Sequence, residues 1–147
     1  MNVRPSIIIL QNRRILLMRY SCSGKDVYGL PGGNPDQYET LENTLIRELQ
    51  EELNVDVKIT GLAFVGEVIF REKGSSTLHC VFRGQISSGA PVLNPAQTTA
   101  LSCEWLSLEE AASVNMYPNI GKFIKELLSG DCLLGPRYIG QIEQKWF

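Results

Sequence analysis

Pro31 to Val55 reads PGGNPDQYETLENTLIRELQEELNV, and this stretch organises the reading of everything around it. Leu41, Leu45, Leu49 and Leu53 recur every four residues, with Ile46 beside them, the spacing of one buried stripe on a helix. The periodicity predicts a helix over 41–53. Glu48, Glu51 and Glu52 stand at i, i+3 and i+4, so they share the polar side of that helix on adjacent turns. Like charges at this spacing cost a few tenths of a kcal/mol per pair, roughly, in helix stability. A hard divalent cation that prefers oxygen ligands offsets that cost. Alone, the same face also reads as an ordinary solvated surface on which Arg47 pairs with Glu51. Upstream, Pro31-Gly32-Gly33 lets the backbone approach a ligand closely. Glu39 lies at a loop-to-helix boundary, where the helix dipole favours an acid.

Working outward, Ser6–Leu10 and Ile15–Tyr20 are apolar runs joined by the polar Gln11-Asn12-Arg13, a hairpin pattern. Ser21–Asp26 and Gly29–Pro35 read as loops rich in turn residues. After the helix, Val55–Ile59, Leu62–Phe70 and Thr77–Ile86 have strand composition, and Ser87–Leu101 reads as a loop with Gly89, Pro91 and Pro95. Glu104-Trp105-Leu106 is a short strand. Ser107 and Glu110 have the spacing of a capping box that starts a short helix. Pro118-Asn119 opens a last helix carrying Ile120, Phe123, Ile124, Leu127 and Leu128, which Gly130 closes. The tail, 131–147, is too apolar to float freely. It packs on the rest of the chain or on a second copy, which leaves a homodimer open. Strands and helices mix without steady β-α-β alternation, so the class is α/β with a mixed sheet flanked by helices.

The chain has 147 residues, enough for one compact domain, which sets the expectation of a single domain over 1–147. Fourteen basic and 16 acidic side chains leave a formal charge of −2, which gives no support for a nucleic-acid-binding surface. Cys22, Cys80, Cys103 and Cys132 form no CxxC pair, and the sole histidine, His79, cannot complete a zinc set. They read as reduced thiols. The apolar run Ile7–Leu10 is too short for a signal peptide or a membrane span, so the expectation is a soluble cytoplasmic protein with no membrane contact.

From Gly33 to Val55 the sequence resembles the Nudix box, G-x5-E-x7-R-E-U-x-E-E-x-G-U, where U is aliphatic. Gly33, Glu39, Arg47, Glu48, Leu49, Glu51, Glu52 and Val55 fall in register: eight of nine fixed positions over 23 residues. The departure is Asn54, where the family has Gly. That position follows the helix and takes positive φ, which Asn tolerates best after Gly. Tyr28-Gly29-Leu30-Pro31-Gly32-Gly33 and Glu104-Trp105-Leu106 are similar to the family's flanking segments, so the resemblance spans roughly residues 5 to 130.

The resemblance implies an α/β/α sandwich and Mg2+-dependent hydrolysis of a pyrophosphate bond in a nucleoside diphosphate linked to another moiety. It implies Glu48, Glu51 and Glu52 as metal ligands, with the Gly32 carbonyl as a further one and Mn2+ as a substitute ion. Arg47 would orient the carboxylates, and Glu39 and Gly33 would serve the box structurally. The general base is expected at Glu48 or Glu52, because 95–103, the loop that supplies it in some relatives, holds no acid; Glu104 and Glu67 lie elsewhere. Arg19, Lys25 and Tyr28 are the candidate substrate contacts, while His79 and Trp105 read as structural. The proline of ADP-ribose-cleaving relatives and the tyrosine of dinucleoside polyphosphate hydrolases have no counterpart near Arg71. That favours a nucleoside triphosphate or an untyped small nucleotide. The other reading is a regulatory Nudix module that binds a nucleotide without cutting it.

Overall fold

The computed structural model describes residues 1–130 and 135–147. Strands β1 (Asn2–Gln11) and β2 (Arg14–Cys22) form the hairpin, turning through Asn12 and Arg13. Both turn residues have positive φ, 50° and 62°, the backbone that lets a two-residue turn follow the strands' own twist. A short strand β3 (Lys25–Gly29) follows, then α1 (Leu41–Leu53), β4 (Asp56–Phe70), β5 (Ser75–Ser88) and β6 (Ser102–Ser107). Helices α2 (Leu108–Ser113) and α3 (Gly121–Ser129) and strand β7 (Arg137–Gln141) complete the order. Among the described residues seven strands join in the order β3-β2-β1-β5-β4-β7, with β6 also on β2. β1 runs parallel to β5, while β4 and β5 are antiparallel, so the sheet is mixed as expected.

Helix α1 has the predicted bounds. Thr40 caps it by accepting from Asn43 N–H at 3.2 Å, and Asn54 ends it at φ 55°. Leu45, Leu49 and Leu53 are fully buried with Ile7, Ile9, Leu16 and Phe82 on one side of the sheet. Burying each leucine stabilises the fold by about 1.5–3 kcal/mol. Ile46 departs from the expected stripe and is 43% exposed. Thr44 takes the buried place beside the leucines, its hydroxyl donating to Thr40 O at 2.9 Å. On the other side, Ile120, Ile124 and Leu127 of the α3 segment pack with Ile8, Phe64 and Val81. Helices thus cover both faces of the mixed sheet.

Three expectations change in detail. Lys25 and Asp26, read as the end of one loop, and Gly29, read as the start of the next, belong with Val27 and Tyr28 to β3, paired to β2 from Met18↔Gly29 to Cys22↔Lys25. The two strands expected over 55–70 are one, interrupted by register shifts after Asp56, Ile59 and Leu62. The last helix begins at Gly121 instead of Pro118, because Asn119 is taken by the tail: its Nδ2 donates to Glu143 O at 3.0 Å. The described part of that tail packs on the chain itself. β7 lies parallel to β4 and Ile142 is buried against it. Cys22, Cys80 and Cys103 are free thiols, whereas Cys132 and Asp131 lie outside the described residues.

Candidate active site

The loop from Leu30 to Asn34 is laid against β1 by backbone bonds. Ile7 N–H donates to Pro31 O at 2.9 Å, and Gly33 N–H donates to Pro5 O at 3.3 Å. The two glycines are explained by what surrounds them. A Cβ on Gly32 would overlap Pro5 O, and a Cβ on Gly33 would overlap the Glu48 carboxylate. Gly33 is therefore the place where an acidic side chain of α1 comes to rest against the loop.

Arg47 is the hub of this corner. Its Nε donates to Glu39 Oε1 at 3.1 Å, and its Nη1 donates to Glu48 Oε1 at 3.0 Å and Glu51 Oε2 at 3.2 Å. Nη2 donates to the Asn34 carbonyl at 3.2 Å, tying helix to loop. The bond from Arg47 holds the Glu39 carboxyl below its ordinary value. Burial pushes Glu48 up despite its bond to Arg47. Glu52 is pushed furthest, to about 7, by burial and then by the charge of Glu48. Glu48, Glu51 and Glu52 share a face but do not close into a cage. Among the described residues no three His, Cys, Asp or Glu side chains stand in metal-holding geometry. Arg47 draws Glu48 and Glu51 to itself, and repulsion keeps the remaining charge apart. The donor set nevertheless fits a hard cation: three carboxylates, one of them half-buried with its charge poorly offset.

Glu52 also lines a cavity of about 870 Å³ bounded by β1, β5, the Tyr28–Leu30 segment and residues 95–99. That loop is pinned to the end of α1, where Asn94 N–H donates to Glu52 O at 2.8 Å and Val92 N–H to Leu53 O at 2.9 Å. Helix-end carbonyls that lack partners within the helix thus fix the cavity wall. Tyr28 lines the cavity as anticipated. Arg19 and Lys25 do not. Arg19 instead donates through Nε to Ser102 Oγ and Glu104 Oε2, both at 3.0 Å, and through Nη1 to Asp26 at 3.2 Å. Glu104 is held by that arginine and by the Ser102 hydroxyl at 2.7 Å, while Glu67 accepts from Tyr138 at 3.1 Å. Trp105 is half-buried against the α1 side of the core.

Sequence reading missed Arg4, Ser6, Tyr20, Thr98 and Tyr117, all of which line the cavity, and cast His79, which also lines it, as structural. Arg4 bonds Asn34 Oδ1 at 3.2 Å, and its charge favours ionised Glu48 and Glu52. His79 is buried and its pKa falls to about 4, through burial first and the Arg4 charge second, so it is neutral at pH 7. The sequence signal for Arg4, Ser6 and His79 was polar residues alternating with apolar ones in β1 and β5, whereas Thr98 and Tyr117 lie outside the strands.

The Nudix domain family model matches residues 2–127, and the chain belongs to the Nudix family. The mouse protein called nucleoside diphosphate-linked moiety X motif 6 is 26% identical over 129 residues, 86% of this chain. The chain spans only 40% of that relative's length. A MutT Nudix hydrolase from Burkholderia pseudomallei superposes with a TM-score of 0.72 at 25% identity, over 86% of this chain and 97% of that one. An ADP-ribose pyrophosphatase from Streptococcus suis, at 18% identity and TM-score 0.67, shares the fold over 93% of this chain and 98% of its own. The fold class, mixed α/β with few helices, is that of Nudix hydrolases, which generally need a divalent metal. No helix among the described residues is long and apolar enough to cross a membrane.

Proposed function

We propose that this chain hydrolyses, with Mg2+, a pyrophosphate bond in a nucleoside diphosphate linked to another moiety. The observation that carries the reading is the position of Glu52. One carboxylate belongs both to the acidic face of α1 and to the wall of a cavity large enough for a nucleotide. Glu48, Glu51 and Glu52, with the Gly32 carbonyl, would hold the cation, and Mn2+ is the natural substitute. Bound there, the cation supplies charge neutralisation on phosphate oxygens and activation of water. Arg47 orients the carboxylates by gripping Glu39, Glu48 and Glu51, and Gly33 leaves the space Glu48 needs. Arg4, on the cavity side, supplies a cation for the phosphates. Water adds to one phosphorus, the bridging P–O bond breaks, and the water's proton passes to a carboxylate. Glu52 is favoured over Glu48 as that base, since Glu48 is engaged by Arg47 at 3.0 Å whereas Glu52 faces the cavity.

The test is a panel of nucleoside triphosphates and nucleoside diphosphate sugars with Mg2+ or Mn2+. The readout is released phosphate, pyrophosphate and nucleoside monophosphate. The expected result is cleavage between phosphates that stops when EDTA is added. No product from any of them overturns the reading in favour of a nucleotide-binding module.

A further inference from the structure

One wall of the cavity is the sheet face built by β1 and β5. Arg4 and His79 are directly paired across parallel strands β1 and β5, so their side chains leave the same face of the sheet. Ser6 follows two residues after Arg4 and shares that face. Ser6 and His79 are only 4% and 1% exposed, and both line the cavity. Ser6 Oγ and His79 Nε2 are also the two buried side-chain polar atoms without a hydrogen-bond partner among the described residues. Leaving such an atom unpaired costs about 1–3 kcal/mol, so both invite a partner.

The walls say what kind of partner fits. Tyr20, Tyr28 and Tyr117 line the same space, and the Tyr117 ring stands edge-on to His79 at 5.6 Å between centroids. Aromatic walls accept a flat ring, because every heteroaromatic ring offers a π-face. The imidazole is neutral and the serine hydroxyl uncharged, so these two groups offer hydrogen bonds, while the charge a phosphate requires is carried by the adjacent Arg4. Arg4 is the cation among the described lining residues, and its charge acts on Glu48 and Glu52 as well as on its strand partner His79.

We propose that Ser6 and His79 read the hydrogen-bonding edge of the substrate's nucleobase, making this wall of the cavity the determinant of base selectivity. The inference rests on the hydrolase reading above and assigns the part of the substrate that reading left open. A hydroxyl and a neutral imidazole can each donate or accept, so together they favour one arrangement of N–H and C=O on a base over its reverse.

The experiment compares kcat/KM over ATP, GTP, CTP, UTP and the corresponding diphosphate glucoses, with Mg2+, for the wild type, Ser6→Ala, His79→Leu and His79→Gln. The wild type should favour one base. Ser6→Ala and His79→Leu should each shrink the spread by about tenfold, the loss of one hydrogen bond. His79→Gln, which keeps a donor and an acceptor, should retain more of it than His79→Leu. Thermal midpoints of Ser6→Ala and His79→Leu should not fall, because each removes an unpaired buried polar atom. A wild type indifferent to base, or variants that keep the full spread, overturns the proposal and leaves the two atoms as core features. Should the wild type cut none of the substrates, the hydrolase reading fails separately. Equilibrium dialysis with the four nucleoside monophosphates then decides this one. Base-dependent binding lost in the variants supports it, and base-independent binding or none overturns it.

Discussion

The acidic face of α1 and the sheet wall of the cavity are built on opposite terms. On the acidic face one guanidinium serves Glu39, Glu48 and Glu51 at 3.0–3.2 Å, with Asp36 at 3.4 Å, and every side chain in the corner is held by another. On the sheet wall Ser6 and His79 are more deeply buried than any of these, yet each leaves a polar atom without a partner. Geometry that must be ready before substrate arrives is fixed by internal partners, since preorganised charge costs nothing further during reaction. Geometry that must be completed by the substrate is left incomplete. Glu52, on the acidic helix and also in the cavity wall, is where the two meet.

The contrast can be broken most severely at that junction. Glu52→Gln should lower kcat by roughly 10²–10⁴-fold, the usual contribution of a positioned acid or base; turnover near wild type in a Mg2+ assay removes Glu52 from both proposed roles. Arg47→Ala tests the over-connected face and should cost about 10–100-fold in activity, as losing a residue that orients metal ligands does. A weaker response to added Mn2+ or Mg2+ in a thermal-shift titration would show that the carboxylates had lost their support. Arg4→Gln should raise KM for a nucleoside triphosphate about tenfold with kcat nearly preserved, if its charge serves binding more than chemistry.

Smaller effects sharpen the other side of the comparison. His79 has a folded-state pKa of about 4 against an ordinary 6.5. Between those values the unfolded chain binds the extra proton and the folded one does not, so stability falls as pH drops through that window. His79→Gln should lack this contribution. Its melting midpoint should fall less than the wild type's between pH 7 and pH 5, by roughly 2–5 °C. Smallest of all, Asn54→Gly should leave turnover unchanged and move the midpoint by less than about 2 °C. Glycine suits the φ of 55°, but the side-chain bond from Asn54 Nδ2 to Val92 O is lost.

The same division governs what could be read from the sequence. Helix α1 was legible because its signals are local: leucines on one stripe and Asn54 at the left-handed stop. The capping box at Ser107 and Glu110 was legible for the same reason, and both of its bonds are present. Strand β3 was missed because, of its five residues, only Val27 and Gly29 are buried, too little alternation to stand out. Arg4, Ser6 and His79 could not be assembled from sequence. They become neighbours only when β1 lies parallel to β5, a pairing that no local pattern encodes. Arg19 misled for a related reason: its ends were visible as a strand position, but its partners Ser102 and Glu104 arrive from β6.

Gly33 and Glu48 lay claim to the same small volume, since any Cβ at 33 intrudes on the carboxylate at 48. A Gly33→Ala lesion should therefore draw its intragenic suppressors to codon 48, where the shorter aspartate withdraws from the contested space. Such revertants would regain soluble, folded protein and not turnover, because the aspartate that makes room no longer reaches where the glutamate did. Folding and activity would then separate along a single pair of residues.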